Sequence, residues 1–142
     1  MAANADDVVV NNISEIGKDI GIAYTIANDT CDFGKSNLED FAAGRYTLPV
    51  IFAMHNVSEA ARKKLNKLIE KGELTGTEKE VVRRIIVQSG AIDYGKKKAW
   101  EFCEKALGIL KDFPSSDAKE MLEFSTTMTQ RNKYYDVLDR YL

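Results

Sequence analysis

Proline, histidine and tryptophan are scarce in this chain: there are two prolines, one histidine and one tryptophan. With only Pro49 and Pro114 to interrupt them, long segments can stay helical. No stretch alternates apolar and polar residues for more than a few positions, which excludes a half-buried sheet as the scaffold. The two cysteines, Cys31 and Cys103, are too few for a disulfide-stapled fold. No apolar run reaches the roughly 18 residues that span a bilayer. The N-terminal "MAANADDVVV" has neither the basic flank nor the apolar core of a signal peptide. These absences point to the cytoplasm, with both thiols reduced. The formal net charge is -2, so no basic field draws in nucleic acid or an anionic membrane, and an anionic ligand must be held by local cations.

What is present is helical rhythm. With 142 residues, 44% hydrophobic and 30% charged, the chain suits one soluble domain with a sizeable core. The spacing predicts an all-α bundle of six or seven helices over residues 1–142, with no internal repeat. A first helix over about 8–32 carries the stripe Ile13, Ile16, Ile20, Ala23 and Ala27. Gly17 and Gly21, four apart on one face, are expected to let another helix come close. Ser36 with Glu39 has capping-box spacing for a short turn ended by Gly44. Thr47 can cap a buried helix through Val50–Met54, with Pro49 in its first turn. Ser58 opens a charged helix over 59–71 whose inward residues are Leu65, Leu68 and Ile69. Thr77 and Glu80 form a second capping-box pair, and the rhythm after them runs to Leu110 with a break at Gly90. After Pro114, helices are expected over about 117–131 and 132–141.

The stretch "YTIANDTCDFGK", Tyr24 to Lys35, carries chemistry. On a helix, residues three and four apart share a face, so Asn28, Asp29 and Asp32 can turn their oxygens to one side. Such oxygens suit Mg²⁺, which takes one or two carboxylates plus phosphate and keeps several waters. Acids at a helix C-terminus also oppose its dipole and call for a compensating cation, from metal or from Lys35 and Arg45. The same pattern suits a solvated helix end, and spacing alone leaves both readings open.

With its flanks the stretch becomes more specific. Gly21-Ile22-Ala23-Tyr24-Thr25 is followed by Asn28-Asp29-Thr30-Cys31-Asp32, Gly34-Lys35, Asp40, Gly44-Arg45 and Thr47-Leu48-Pro49. This order resembles the second half of the trans-polyprenyl diphosphate synthases: Gly-x-Ala-Phe-Gln, the second Asp-Asp-x-x-Asp motif, two Gly-Lys pairs flanking an Asp, and Thr-Leu-Pro. Gly90 to Tyr94, Ala106, Leu110 and Arg131 also resemble that family's C-terminal helices. The resemblance implies an isoprenoid-synthase bundle and a Mg²⁺-dependent prenyl transfer. An allylic diphosphate would ionise and be attacked by isopentenyl diphosphate. It implies metal contacts from Asn28, Asp29 and Asp32, and diphosphate contacts from Thr25, Lys35 and Arg45. No residue is singled out for covalent chemistry. Asn28 replaces an acid, Thr25 a glutamine and Arg45 a lysine. The first aspartate-rich motif has no counterpart, and Asp6-Asp7 lacks its following acid. By the resemblance, the chain corresponds to a C-terminal half, inactive alone and working as a homo-oligomer or with an N-terminal half.

Two other classes compete. Asn28 and Thr25 would also suit a non-catalytic regulatory or scaffold subunit of a heteromeric prenyl synthase. A terpene cyclase often opens its second metal motif with Asn-Asp, but here Asp32 and Ser36 stand where Ser or Thr and Glu are required. His55 reads as a surface residue at a helix end, Cys31 and Cys103 as core, and "RKKLNK" as a solvated face. Trp100, Phe102, Tyr134 and Tyr135 read as packing or subunit-contact residues.

Overall fold

Asp6 starts the first helix by accepting the amide hydrogens of Val8 and Val9 on its Oδ1, at 2.8 and 3.0 Å. In the computed structural model, which describes residues 6–35 and 37–128, this helix is α1 (Asp7–Asp32). It is followed by α2 (Glu39–Ala42), α3 (Leu48–Asn56), α4 (Glu59–Lys71), α5 (Gly76–Gln88), α6 (Ala91–Leu110) and α7 (Asp117–Met128). Among the described residues there is no strand, as the missing period-2 pattern predicts. No helix among them is long and apolar enough to cross a membrane. The helices expected to reach Arg131 and to span 132–141 lie, with Tyr134 and Tyr135, outside the described residues.

The long helices α1 and α6 form the central pair. They run antiparallel: Thr30 near the end of α1 meets Gly95 near the start of α6, while Ile16 of α1 joins Ala106 and Leu110 at the other end. Small residues permit the approach. Ala23, Ala27 and Thr30 of α1 are buried, as are Gly95, Ala99, Cys103 and Ala106 of α6. A Cβ on Gly95 would lie 2.3 Å from Thr30 Oγ1, so only glycine fits.

The close approach is therefore not where the sequence suggested it. Among the described residues, a Cβ on Gly17 or Gly21 meets nothing within 4 Å. Both glycines instead line an open cavity of about 650 Å³ with Tyr24, Asn28, Phe124 and Met128. Ile13, expected to face inward, is 45% exposed.

The main core gathers Phe33, Phe41, Val50, Leu65, Val82 and Ile86 from the turn after α1 and from α2 to α5. Leu65 and Leu68 of α4 are buried and Ile69 packs against the cluster, as their spacing predicts. Phe52 of α3 stacks on Tyr94 of α6 with centroids 4.4 Å apart. Three local expectations need correction. Ile51 of α3 is exposed, because an apolar nine-residue helix at the bundle surface keeps one side toward water. Thr47 is the N-cap of α3, but its hydroxyl makes no cap bond and, among the described residues, has no partner. The capping box of α5 is Thr75 with Glu78 rather than Thr77 with Glu80, because helical geometry already begins at Gly76. Ser36 lies outside the described residues; α2 begins after Leu38, whose φ of 51° places it in the left-handed region.

Candidate functional site

The last two turns of α1 lay out Thr25, Asn28, Asp29 and Asp32. They differ in access: Thr25 and Asn28 are exposed, Asp29 is half-buried, and Asp32 is 3% exposed. Thr25 donates its hydroxyl to Gly21 O at 2.9 Å, back along its own helix.

The chain then reverses. Gly34 N–H bonds Cys31 O at 2.9 Å and Lys35 N–H bonds Asp32 O at 3.0 Å, a tight turn beyond the helix. The left-handed Leu38 completes the reversal with its side chain fully buried, local strain of the kind the surrounding core must hold in place. The reversal sets Asp40 against the end of α1, where its N–H donates to Asp32 Oδ2 at 3.3 Å. Lys35 Nζ stands 3.8 Å from Asp32 Oδ1. Gly44, at φ +73°, ends α2, and Arg45 N–H folds back to Asp40 O at 2.9 Å. The Arg45 guanidinium then grips Asp40 Oδ1 with Nε, at 2.7 Å, and with Nη2.

The fold thus brings one carboxylate patch, Asp29, Asp32 and Asp40, together with two cations, Lys35 and Arg45. Burial, followed by the Asp40 and Asp32 charges, raises the Asp29 pKa, while Arg45 and Lys35 oppose the rise. Burial, followed by the Asp40 charge, raises the Asp32 pKa, against Lys35 and the Asp40 N–H. Negative charge is therefore in excess at the end of α1. Asp40 stood in the sequence pattern without a role; its part in this charge balance depends on the turn at Phe33 to Lys35 and on the left-handed Leu38.

The sequence reading missed Arg83 altogether. This residue of α5 is 6% exposed. It donates Nε to Phe33 O at 2.9 Å, Nη2 to Lys35 O, and Nη1 to Glu80 Oε1 at 2.7 Å. It lies 50 and 48 residues from those carbonyls, so no local spacing signals it. Lys35 and Arg45 are thus the cations that oppose the carboxylate charge, while Arg83 meets the main-chain oxygens of Phe33 and Lys35 just beyond the helix.

The patch fits Mg²⁺ only as a partial shell. Among the described residues no three acidic, histidine or cysteine side chains are set to hold a metal between them. Asp32 is buried and already accepts an N–H, which leaves Asp29 and the exposed Asn28 as accessible oxygens. One or two protein ligands are what Mg²⁺ uses when a diphosphate and waters supply the rest. Burial is the larger cause of both raised aspartate pKa values, and the neighbouring carboxylate charge that adds to it is what a divalent ion would neutralise.

The other candidates carry no such grouping. Cys31 and Cys103 are buried. Burial raises the Cys103 thiol pKa, and its Sγ lies 3.5 Å from Thr126 O, an environment that keeps it inert. His55 is exposed in the last turn of α3. Trp100 is 40% exposed, and Phe102 is half-buried under the Lys105 ammonium.

Known proteins resemble this chain in sequence and in fold. The family model described as polyprenyl synthetase matches residues 1–87, which hold the whole patch. The geranylfarnesyl diphosphate synthase of Aeropyrum pernix is 34% identical over 133 residues, which are 86% of this chain and 40% of that protein. The decaprenyl-diphosphate synthase of Dictyostelium discoideum is 27% identical over 127 residues, 84% of this chain and 27% of that protein. A polyprenyl synthase from Caulobacter crescentus, solved with calcium and isoprenyl diphosphate, superimposes with a TM-score of 0.81 at 25% identity, over 92% of this chain and 42% of the other. The chain thus spans well under half the length of these relatives. With the motif order of residues 21–49, the helices α1 to α3 that carry it, and the family match over the same residues, the chain belongs to the polyprenyl synthetase family.

Proposed function

We propose that this chain supplies the diphosphate-gripping face of a Mg²⁺-dependent trans-prenyltransferase acting on an allylic diphosphate and isopentenyl diphosphate. The observation that carries the reading is the convergence of Asp29, Asp32, Asp40, Lys35 and Arg45 at the end of α1. Alternating charges of this kind can bind a metal–diphosphate complex, which itself carries both signs. Lys35 and Arg45 would hold the outer diphosphate oxygens. Asp29 and Asn28 would orient the complex from the helix side, and Thr25 would stand beside it. Asp40 would fix the Arg45 guanidinium, so that little of its conformational freedom is left to lose on binding. Mg²⁺, when bound, would neutralise the diphosphate and so make it a better leaving group. Heterolysis of the allylic carbon–oxygen bond would leave the electron pair on the diphosphate, whose charge Lys35 and Arg45 would stabilise, and an allylic cation that the isopentenyl double bond would capture with loss of a proton.

The chain is read as one all-helical unit equivalent to a C-terminal part of the longer relatives and inactive by itself. Val8, Val10 and Ile13 on α1, with Met121 and Phe124 on α7, expose apolar surface for a partner chain. That partner would be a second copy or a complementary N-terminal half. The cytoplasm, which keeps buried thiols reduced, is the compartment that suits it. A second reading, a non-catalytic subunit, is favoured by one observation: the Thr25 hydroxyl is turned back onto Gly21 O rather than toward the patch.

Calorimetric titration of the chain with inorganic pyrophosphate and Mg²⁺ tests the binding face. Saturable, Mg²⁺-dependent binding that weakens in Lys35→Ala, Arg45→Ala and Asp29→Asn is expected. Absence of binding by the wild-type chain would sink the reading. Turnover of an allylic and isopentenyl diphosphate by the chain alone would refute its incompleteness.

A further inference from the structure

We propose that Arg83 is a positioning residue for Lys35. The role rests on the reading of Lys35 as a diphosphate contact, but its structural half can be tested separately. Arg83 holds two successive exits of the chain from α1, the carbonyls of Phe33 and Lys35, with two arms of one guanidinium. The third arm is held by Glu80, one turn earlier on α5. The planar fork makes this possible: Nε, Nη1 and Nη2 point in fixed, divergent directions, which a lysine ammonium cannot reproduce.

The position is costly without a reason. A guanidinium at 6% exposure needs partners for its charge. It finds them in Glu80 and in the carbonyl-rich end of α1, where helix geometry concentrates negative partial charge. The same charge lies where Asp29 and Asp32 crowd one another. Arg83 thus balances the end of α1 from behind, through the main chain, and leaves Lys35 Nζ beside Asp32 Oδ1 on the other side. Because the main-chain oxygen of Lys35 is the atom held, the backbone from which its ammonium extends is fixed. Without that grip the turn over 33–35 keeps its own bonds to Cys31 O and Asp32 O and the apolar packing of Phe33 but loses its hydrogen bonds to α5.

The test uses the full chain with Arg83→Lys and Arg83→Met, read by hydrogen exchange and by Mg²⁺–pyrophosphate binding. Losing two hydrogen bonds from a charged donor should raise amide exchange in residues 34–40 by about tenfold or more. Exchange in α4, around Leu65, should stay within about twofold of wild type. Pyrophosphate affinity should fall about tenfold in both variants, the lysine failing to rescue. Lys35→Ala should weaken binding equally while leaving exchange over 34–40 unchanged. If Arg83→Lys behaves as wild type in exchange, or exchange rises equally in α4, the positioning role is overturned. If the wild-type chain binds no pyrophosphate, the diphosphate reading fails instead, and the exchange comparison decides alone whether Arg83 holds the turn.

Discussion

Replacing Gly95 by alanine probes the packing that supports the whole site. The new Cβ would lie 2.3 Å from Thr30 Oγ1, 3.1 Å from Cγ2 and 3.3 Å from Cβ, where ordinary contact begins near 3.4 Å. Thr30 cannot swing aside without cost. It is fully buried, and its hydroxyl donates to Ile26 O at 2.7 Å. Rotating it leaves a buried hydroxyl unpaired, about 1–3 kcal/mol. Separating α1 from α6 instead is overpacking, also about 1–3 kcal/mol. Alanine returns about 1 kcal/mol of helix propensity. A contact as short as 2.3 Å puts the cost in the upper half of that range, about 2–3 kcal/mol, so Gly95→Ala should destabilise the chain by about 1–2 kcal/mol net, a fall in Tm of about 3–7 °C for this size. Urea and thermal unfolding followed by far-ultraviolet circular dichroism would measure it. Thr30→Ala removes the two side-chain atoms beyond Cβ, and combined with Gly95→Ala it should recover about 1 kcal/mol or more relative to the sum of the single changes. A Gly95→Ala variant as stable as wild type, or a double variant no better than additive, would refute the close approach of α1 and α6. The consequence for function follows from sequence order, since Thr30 stands between Asp29 and Asp32 on the same turn.

Further outcomes can be checked directly. Asn28→Asp adds a fourth negative charge to the end of α1, so Tm in the presence of chelator should fall while the gain in Tm with Mg²⁺ and pyrophosphate increases; a lower Tm with no larger gain would remove Asn28 from the site. Arg45→Ala should weaken pyrophosphate binding about tenfold, roughly 1.4 kcal/mol, and Arg45→Lys by less, since the charge stays and the two-armed grip on Asp40 is lost; equal losses would show that geometry rather than charge decides. Leu65→Ala, at a fully buried position, should cost about 2–5 kcal/mol in urea unfolding, and a cost below about 1 kcal/mol would be inconsistent with its place in the core. Glu78 receives Lys71 Nζ at 2.6 and 2.7 Å and the Thr75 N–H at 2.9 Å, and its pKa is lowered to about 2 from the usual 4.5, chiefly by Lys71. Its folded-state pKa is the lower one, so its stabilising effect is present above about pH 4.5 and fades as pH falls toward 2. Glu78→Gln should therefore lower Tm at pH 7 and leave it unchanged near pH 2; a pH-independent difference would contradict the ion pair.

Local structure was legible because it depends on neighbours in the chain. The bounds of α4 follow from Ser58, Gly72 and the charged face between them. The break at Gly90 follows from the residue best able to adopt its φ of +79°. The α5 capping box was placed two residues late because Thr75-x-x-Glu78 and Thr77-x-x-Glu80 have the same spacing, and only the backbone decides which threonine stands outside the helix. Glycine on α1 was read as a packing device because four-residue spacing is the same whether a face meets a helix or an open cavity. The glycine that does permit close packing, Gly95, has no partner glycine to mark it.

The sequence by itself determined the helical class, the face that carries Asn28, Asp29 and Asp32, and the family, because these rest on spacing along one helix and on motif order. Tertiary structure decided which acids remain accessible, that Asp40 and not Asp32 holds Arg45, and that Arg83 closes the end of α1. Those relations join residues separated by a chain reversal or by about fifty positions. They depend on how α1, α2 and α5 meet around Phe33 and Leu38, a burial requirement that no local pattern encodes.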